Sequence, residues 1–254
     1  MRTLFLVACL HLASTGGARA DLADHDLVAR PLTVERGRAE VQLVVEPNLA
    51  NRVAGVPTSF AIDAWVGVTS RLTVGLTHSD ASLDRLAIGG GLCLSGPASC
   101  ARYRGPNVDV RWSWRDGALA IAPRARFLVR ATEPLAPAVT AGALVRWRRG
   151  AFAAWTDPYL QLALAQRREG NRDRIVVPVV AGRRVIPGWF LGARTGWDTD
   201  VAVARDGWHV PIAFVIHAQL TRALDLRIEA GWPSLLGPQN DFKLRSALIS
   251  VGWR

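Results

Sequence analysis

Leu224-Asp225-Leu226-Arg227-Ile228-Glu229-Ala230-Gly231-Trp232 is the stretch that decides the fold. Every second residue is apolar, and those between are charged or glycine. Successive side chains of a strand point to opposite faces, so this pattern makes one apolar face and one ionic face. A helix would scatter the same charges around its circumference. Four more segments repeat the pattern. Val108, Val110, Trp112 and Trp114 oppose Asp109, Arg111 and Ser113. Leu119, Ile121, Ala125, Phe127 and Val129 oppose Arg124, Arg126 and Arg130. Val139, Ala141, Ala143, Val145 and Trp147 oppose Thr140, Gly142 and Arg146, and Ile62, Ala64, Val66 and Val68 oppose Asp63. No apolar face in these segments carries a charge.

Working outward, turn signals cut the chain into about twelve such segments. They are placed near 38–46, 58–68, 71–79, 107–114, 118–130, 138–147, 151–166, 174–182, 184–197, 208–219, 222–232 and 242–253. Tight connections at Thr69-Ser70, Arg115-Asp116-Gly117, Arg148-Arg149-Gly150, Arg183 and Leu220-Thr221 alternate with long ones at 47–57, 80–106, 131–137, 167–173, 198–207 and 233–241. An up-and-down barrel in an outer membrane requires that alternation, with tight periplasmic turns and longer external loops. A Greek-key sandwich does not. The expected fold is all-β: an antiparallel transmembrane barrel of about twelve strands.

Composition agrees. The chain has 254 residues, half of them hydrophobic, yet no stretch approaches the ~18 consecutive apolar residues of a spanning helix. Charged residues are 20% and spread along the chain, which excludes a disordered polyelectrolyte. Lys and Arg number 31 against 21 Asp and Glu, and Lys243 is the sole lysine. Such basicity raises nucleic acid as a partner, but these arginines form no run or helical face, and nucleic acid is set aside.

Met1 to Ala20 reads as a secretory leader, with Arg2 at its start, an apolar core from Leu4 to Leu12 and the small-x-small site Ala18-Arg19-Ala20. Residues 21–37 then form a periplasmic N-terminal segment, and 38–254 the barrel. Cys93 and Cys100 are expected to pair in an oxidising compartment and staple a small loop. Seven of the ten tryptophans lie toward strand ends. Trp112, Trp114, Trp147 and Trp253 lie toward tight turns, and Trp197, Trp208 and Trp232 lie beside long loops, as two aromatic girdles would. Trp65 and Trp155 fit less well: alternation puts Trp65 inside, and a bulge near Asp157-Pro158 would shift Trp155.

Gly67-Val68-Thr69-Ser70-Arg71-Leu72-Thr73-Val74-Gly75-Leu76 resembles a "G-x-T-x-R-L-x-V-G" hairpin of bacterial outer-membrane β-barrel proteins of the transporter and porin type. A looser copy runs from Gln219 to Leu226. The last strand, with Ala247, Ile249, Val251 and Trp253 alternating outward, resembles the C-terminal assembly signal of such barrels. It departs from that signal by carrying Trp253 in place of a terminal phenylalanine and by adding Arg254. The resemblance implies a Gram-negative outer membrane, with its lipid and its barrel-assembly machinery as partners.

The chemistry lies on the inward face. Alternation assigns to it Glu40, Glu46, Asp63, Asp109, Arg111, Arg124, Arg126, Arg130 and Arg146, then Tyr159, Gln161, Arg194, His217, Asp225, Arg227 and Glu229. An arginine facing lipid at mid-depth costs roughly 2–4 kcal/mol, which drives these groups inside. An arginine-rich lumen suits a narrow passive channel or transporter for small anionic solutes. The alternatives are a closed barrel whose stapled loop 80–106 binds a partner, and an outer-membrane lipid hydrolase. For the latter, Ser79 adjoins His78 and so points to the opposite strand face, although a base must approach its nucleophile to about 3 Å; Ser82 lies in the loop. No catalytic residue is assigned, and no cofactor or metal is expected. His209 and His217 stand too far apart for a shared ion, roughly 26 Å at strand rise. Gly89-Gly90-Gly91 lacks the Lys-Ser/Thr of a phosphate loop. Asp198, Asp200 and Asp206 are read as a solvated acidic loop.

Overall fold

The computed structural model describes residues 27–47, 49, 58–79, 92–95, 105–238, 240–241, 243 and 245–254. The leader, the Cys93–Cys100 staple and most of loop 80–106 lie outside the described residues. Fourteen strand segments make one antiparallel sheet. They are β1 (Ala39–Pro47), β2 (Thr58–Gly67), β3 (Leu72–Thr77), β4 (Leu92–Ser95), β5 (Asn107–Trp112), β6 (Leu119–Thr132), β7 (Leu135–Arg149), β8 (Phe152–Thr156), β9 (Tyr159–Ala163), β10 (Arg174–Ile186), β11 (Trp189–Asp200), β12 (Trp208–Gln219), β13 (Leu224–Leu236) and β14 (Ser246–Trp253). β1 pairs with β2 on one side and with β14 on the other, Val41 opposite Trp253, so the sheet closes on itself.

The closed barrel has twelve staves. β8 and β9 form a single stave interrupted at Asp157-Pro158, since both pair with β7 and β10. β3 and β4 both lie beside β2. The register of β8 and β9 is continuous across the interruption: Val145 faces Thr156 and Gly142 faces Tyr159. No bulge intervenes there, and plain alternation sends Trp155 inward.

Two expected boundaries are corrected. The turn placed at Arg183 lies at Pro187-Gly188, where proline fixes φ and Gly188 takes φ 78°; β10 carries Arg183 and Arg184 in register opposite Leu191 and Phe190. The long loop expected at 131–137 shrinks to Glu133-Pro134, with Thr132 opposite Leu135. Pro137 sits within β7 opposite Val129. Short–long alternation therefore fails at that one external connection. β4, inside the segment read as loop 80–106, was not foreseen.

The exterior is apolar and the interior polar. Phe214 is 70% exposed at mid-strand, whereas Glu229 and Asp109 are 0% exposed. Trp112, Trp114, Trp147 and Trp253 are exposed near the tight turns, with Trp197 exposed and Trp208 and Trp232 half-buried toward the opposite end. Trp65 and Trp155 are buried inside. This distribution is unstable in water and natural in lipid, where closure also removes unpaired sheet edges. Phe214→Arg should therefore destabilise the barrel in lipid vesicles by roughly 2–4 kcal/mol, and Leu220→Arg, beside a tight turn, by no more than about 1. Urea unfolding followed by tryptophan fluorescence measures both; equal losses would contradict the membrane placement.

Candidate functional site in the barrel lumen

Most of the candidate lumen residues are buried and the rest half-buried, and the structure shows how their side chains meet. Asp109 on β5 lies at the centre of the first cluster. It accepts from Arg124 Nε at 2.7 Å and from Trp65 Nε1 at 2.8 Å, and Arg111 Nη2 stands 2.6 Å away. Arg124 also reaches Asp157, and Arg111 lies over the Trp65 ring at 4.9 Å. Gly75 makes room for that indole, because a Cβ there would stand 2.2 Å from Trp65. Beside this cluster, Arg126 donates to Thr140 at 3.0 Å and stacks over Tyr159 at 4.3 Å.

A second cluster occupies the other wall. Arg194 on β11 grips Glu229 on β13 through Nε at 2.7 Å and Nη2 at 2.8 Å, and Arg227 bonds the same carboxylate. A third lies at the tight-turn end. Asp225 is held by Arg30 Nη2 at 2.9 Å and Arg254 Nη2 at 2.9 Å, with His217 Nε2 at 3.6 Å. Arg254 Nε stands 3.1 Å from Glu40. Glu46, Asp63 and Arg146 are buried on the inner wall, and Arg130 is half-buried. Asp63 accepts from the Ser79 hydroxyl and from the backbone of His78 at 2.7 Å. His78 Nδ1 is 2.6 Å from the Ile62 carbonyl oxygen, on the opposite strand face from Ser79.

The lumen is thus less cationic than an inventory of its arginines suggests. Arg111, Arg124, Arg194 and Arg227 are each tied to a carboxylate, as burial of a charge demands. Sequence reasoning missed Asp157, Arg254 and Arg30 as participants in these ion pairs. The parity of Tyr159 and Gln161 would have placed Asp157.

Arg30 had no such signal, because it belongs to the segment before β1. Residues 27–36 run inside the tight-turn end of the barrel. Val28 is buried with Ala153, Trp155, Val180, Phe190 and Val215, and Leu27 and Leu32 pack against that cluster. Arg146 donates to the Arg30 carbonyl oxygen, and the Val34 amide donates to Thr73 Oγ1 at 2.8 Å. Gly67 allows the segment to pass, since a Cβ there would stand 2.0 Å from the Glu35 oxygen.

The other mouth is tied by its loops. Gln161 reaches the Arg172 carbonyl oxygen at 2.9 Å, Arg172 pairs with Asp200 at 2.7 Å and Arg174 pairs with Asp198. The acidic loop is therefore answered by arginines. In the 164–173 loop, a hydrogen bond from Arg167 and a second from the Ala163 amide hold the Asp173 carboxyl below its ordinary value.

No protein-family model and no curated protein matches the chain by sequence. Solved structures do match its shape. The porin NanC superposes with a TM-score of 0.59 at 9% identity, covering 85% of this chain and 100% of that one. The KdgM porin, solved in complex with disordered oligogalacturonate, superposes with a TM-score of 0.55 at 5% identity over 85% and 98% of the two chains. The fold is that of a bacterial outer-membrane β-barrel. Within this barrel, the Arg194–Glu229–Arg227 group binds two staves together across β12.

The paired charges give a directional expectation. Removing Glu229 leaves Arg194 and Arg227 facing each other, whereas removing Arg227 leaves Glu229 in its two bonds to Arg194. Glu229→Gln should then cost roughly 3–5 kcal/mol in denaturant unfolding. Arg227→Gln should cost no more than about half of that.

Proposed function

We propose that this barrel is a passive outer-membrane channel for small solutes, with a mild preference for anions, whose resting form is narrowed by residues 27–36. The observation that carries the reading is where the apolar packing lies. The apolar cluster at the tight-turn end is completed by Val28 of the N-terminal segment. The other buried apolar cluster among the described residues is the small group of Val44, Ala61 and Leu248. Elsewhere the inner wall carries mainly charged and small polar side chains, with Trp65, Leu128, Leu144 and Val176 among them. Residues 27–36 add the packing that narrows the tight-turn end.

The anion preference rests on the arginines of the inner wall, among them Arg126, which donates to Thr140 and stacks over the face of Tyr159. Small anionic solutes are the partners this suits, and the outer membrane is the compartment in which such a barrel works.

Planar-bilayer recording tests the reading. The wild type should give small or infrequent steps, and a Val28→Asp/Arg30→Gln variant larger and steadier ones. Asp225 keeps Arg254 in that variant, so the wall stays paired. A variant that shifts mobility on boiling in SDS, as a folded barrel does, yet remains electrically silent would overturn the channel reading. The remaining role would be a closed barrel presenting its external loops. In the same recordings, Arg126→Gln/Arg130→Gln should move the reversal potential under a salt gradient toward cations.

A further inference from the structure

We infer that the outer wall of the barrel carries a binding site for one anionic phospholipid, clamped by Arg149 and Arg183 on either side of Phe152. The three residues lie on consecutive staves. Arg149 ends β7, Phe152 begins β8 and Arg183 lies in β10, and the register sets Phe152 opposite Arg149 on one side and opposite Arg183 on the other. All three are exposed and share the outward parity of their strands, Phe152 at 54%. With staves about 4.8 Å apart, the two arginines flank the ring at a Cα separation of about 10 Å. The Arg183 guanidinium lies 5.4 Å from the centre of the Phe152 ring.

An outward-facing arginine inside a strand of a membrane barrel needs an anion or access to water. Arg183 lies in the body of β10, because the turn comes at Pro187-Gly188. Beyond it toward the turn, Val185 and Ile186 are exposed and apolar. Arg183 is therefore bracketed by apolar surface along its own strand, at the level of the Arg149-Gly150 turn of the neighbouring hairpin. A phosphodiester between the two guanidiniums would satisfy both charges at that depth, and arginine's planar fork suits phosphate oxygens.

The wall on the bilayer side of the clamp has the shape for the rest of such a lipid. Trp147 lies two residues before Arg149 on the same face and is 48% exposed. Its register continues through Ala154, Ala181 and Ala193 to Phe214. Three small side chains between two large aromatic ones make a shallow trough, directly next to the headgroup clamp, that an acyl chain can follow. The clamp and the trough together fit an anionic diacyl lipid, and a soluble anion would use only the clamp.

The full-length protein in detergent micelles can be titrated with dioleoyl phosphatidylglycerol and with dioleoyl phosphatidylcholine, and the retained lipid counted by native mass spectrometry. Near-surface arginines contribute about fivefold each to anionic-lipid binding, so Arg149→Gln/Arg183→Gln should cut phosphatidylglycerol affinity about 25-fold and leave phosphatidylcholine unchanged. Arg71→Gln/Arg222→Gln, on two other tight turns, should change neither. Arg183→Gln alone, the gentler variant, should lose about fivefold. Equal losses in the two double variants would overturn the proposal in favour of a diffuse basic collar. Displacement of the lipid by millimolar glycerol phosphate would also overturn it, by showing a site for free anions.

Discussion

The structure rests on one constraint: a bilayer will not solvate a charge or an unpaired backbone group, so a membrane barrel must bring both to its inside. Closure between β1 and β14 satisfies the backbone. Pairing across the lumen satisfies the side chains. Asp109 with Arg111 and Arg124, Glu229 with Arg194 and Arg227, and Asp225 with Arg30 and Arg254 are three solutions to the same problem. Each brings together groups from different staves, so ion pairing and strand register support one another. The aromatic partners Trp65 and Tyr159 add a further contact to the same guanidiniums or carboxylates without adding charge.

How legible this was depends on the range of the information. Strand alternation is local, and it placed Asp63, Asp109, Arg194 and Glu229 on the inner face from their neighbours alone. Turn chemistry was harder to read. Arg183-Arg184 resembled the Arg148-Arg149 turn, although the Pro187-Gly188 dipeptide four residues later had the stronger conformational reason. Nothing local in 131–137 says that Pro137 can sit within a strand, opposite Val129. Which side chains meet between staves was not legible. Arg124 on β6 meets Asp157, between β8 and β9, across β7, and that match depends on the register of the closed sheet, not on any one strand.

The N-terminal segment is the clearest case of information that no periodicity carries. Leu27-Val28-Ala29-Arg30-Pro31-Leu32 has no two-residue rhythm and no charge pattern that distinguishes an interior path from a solvent-exposed one. Its position follows from what the barrel leaves empty. Small inward residues around Trp155 and Phe190 leave space, Asp225 offers a carboxylate that Arg254 satisfies only in part, and the bare backbone at Gly67 opens the way past. The same fit occupies the tight-turn end of the tube, so the packing that stabilises the barrel also narrows it there.

That path has a topological consequence. The segment lies within the wall that closes where β1, the strand it leads into, pairs with β14. It touches both sides of that seam, through Gly67 and Thr73 near β1 and through Asp225 on β13. The segment spans the seam as a clasp does, so the closure of the sheet and the seating of residues 27–36 draw on the same neighbourhood of contacts.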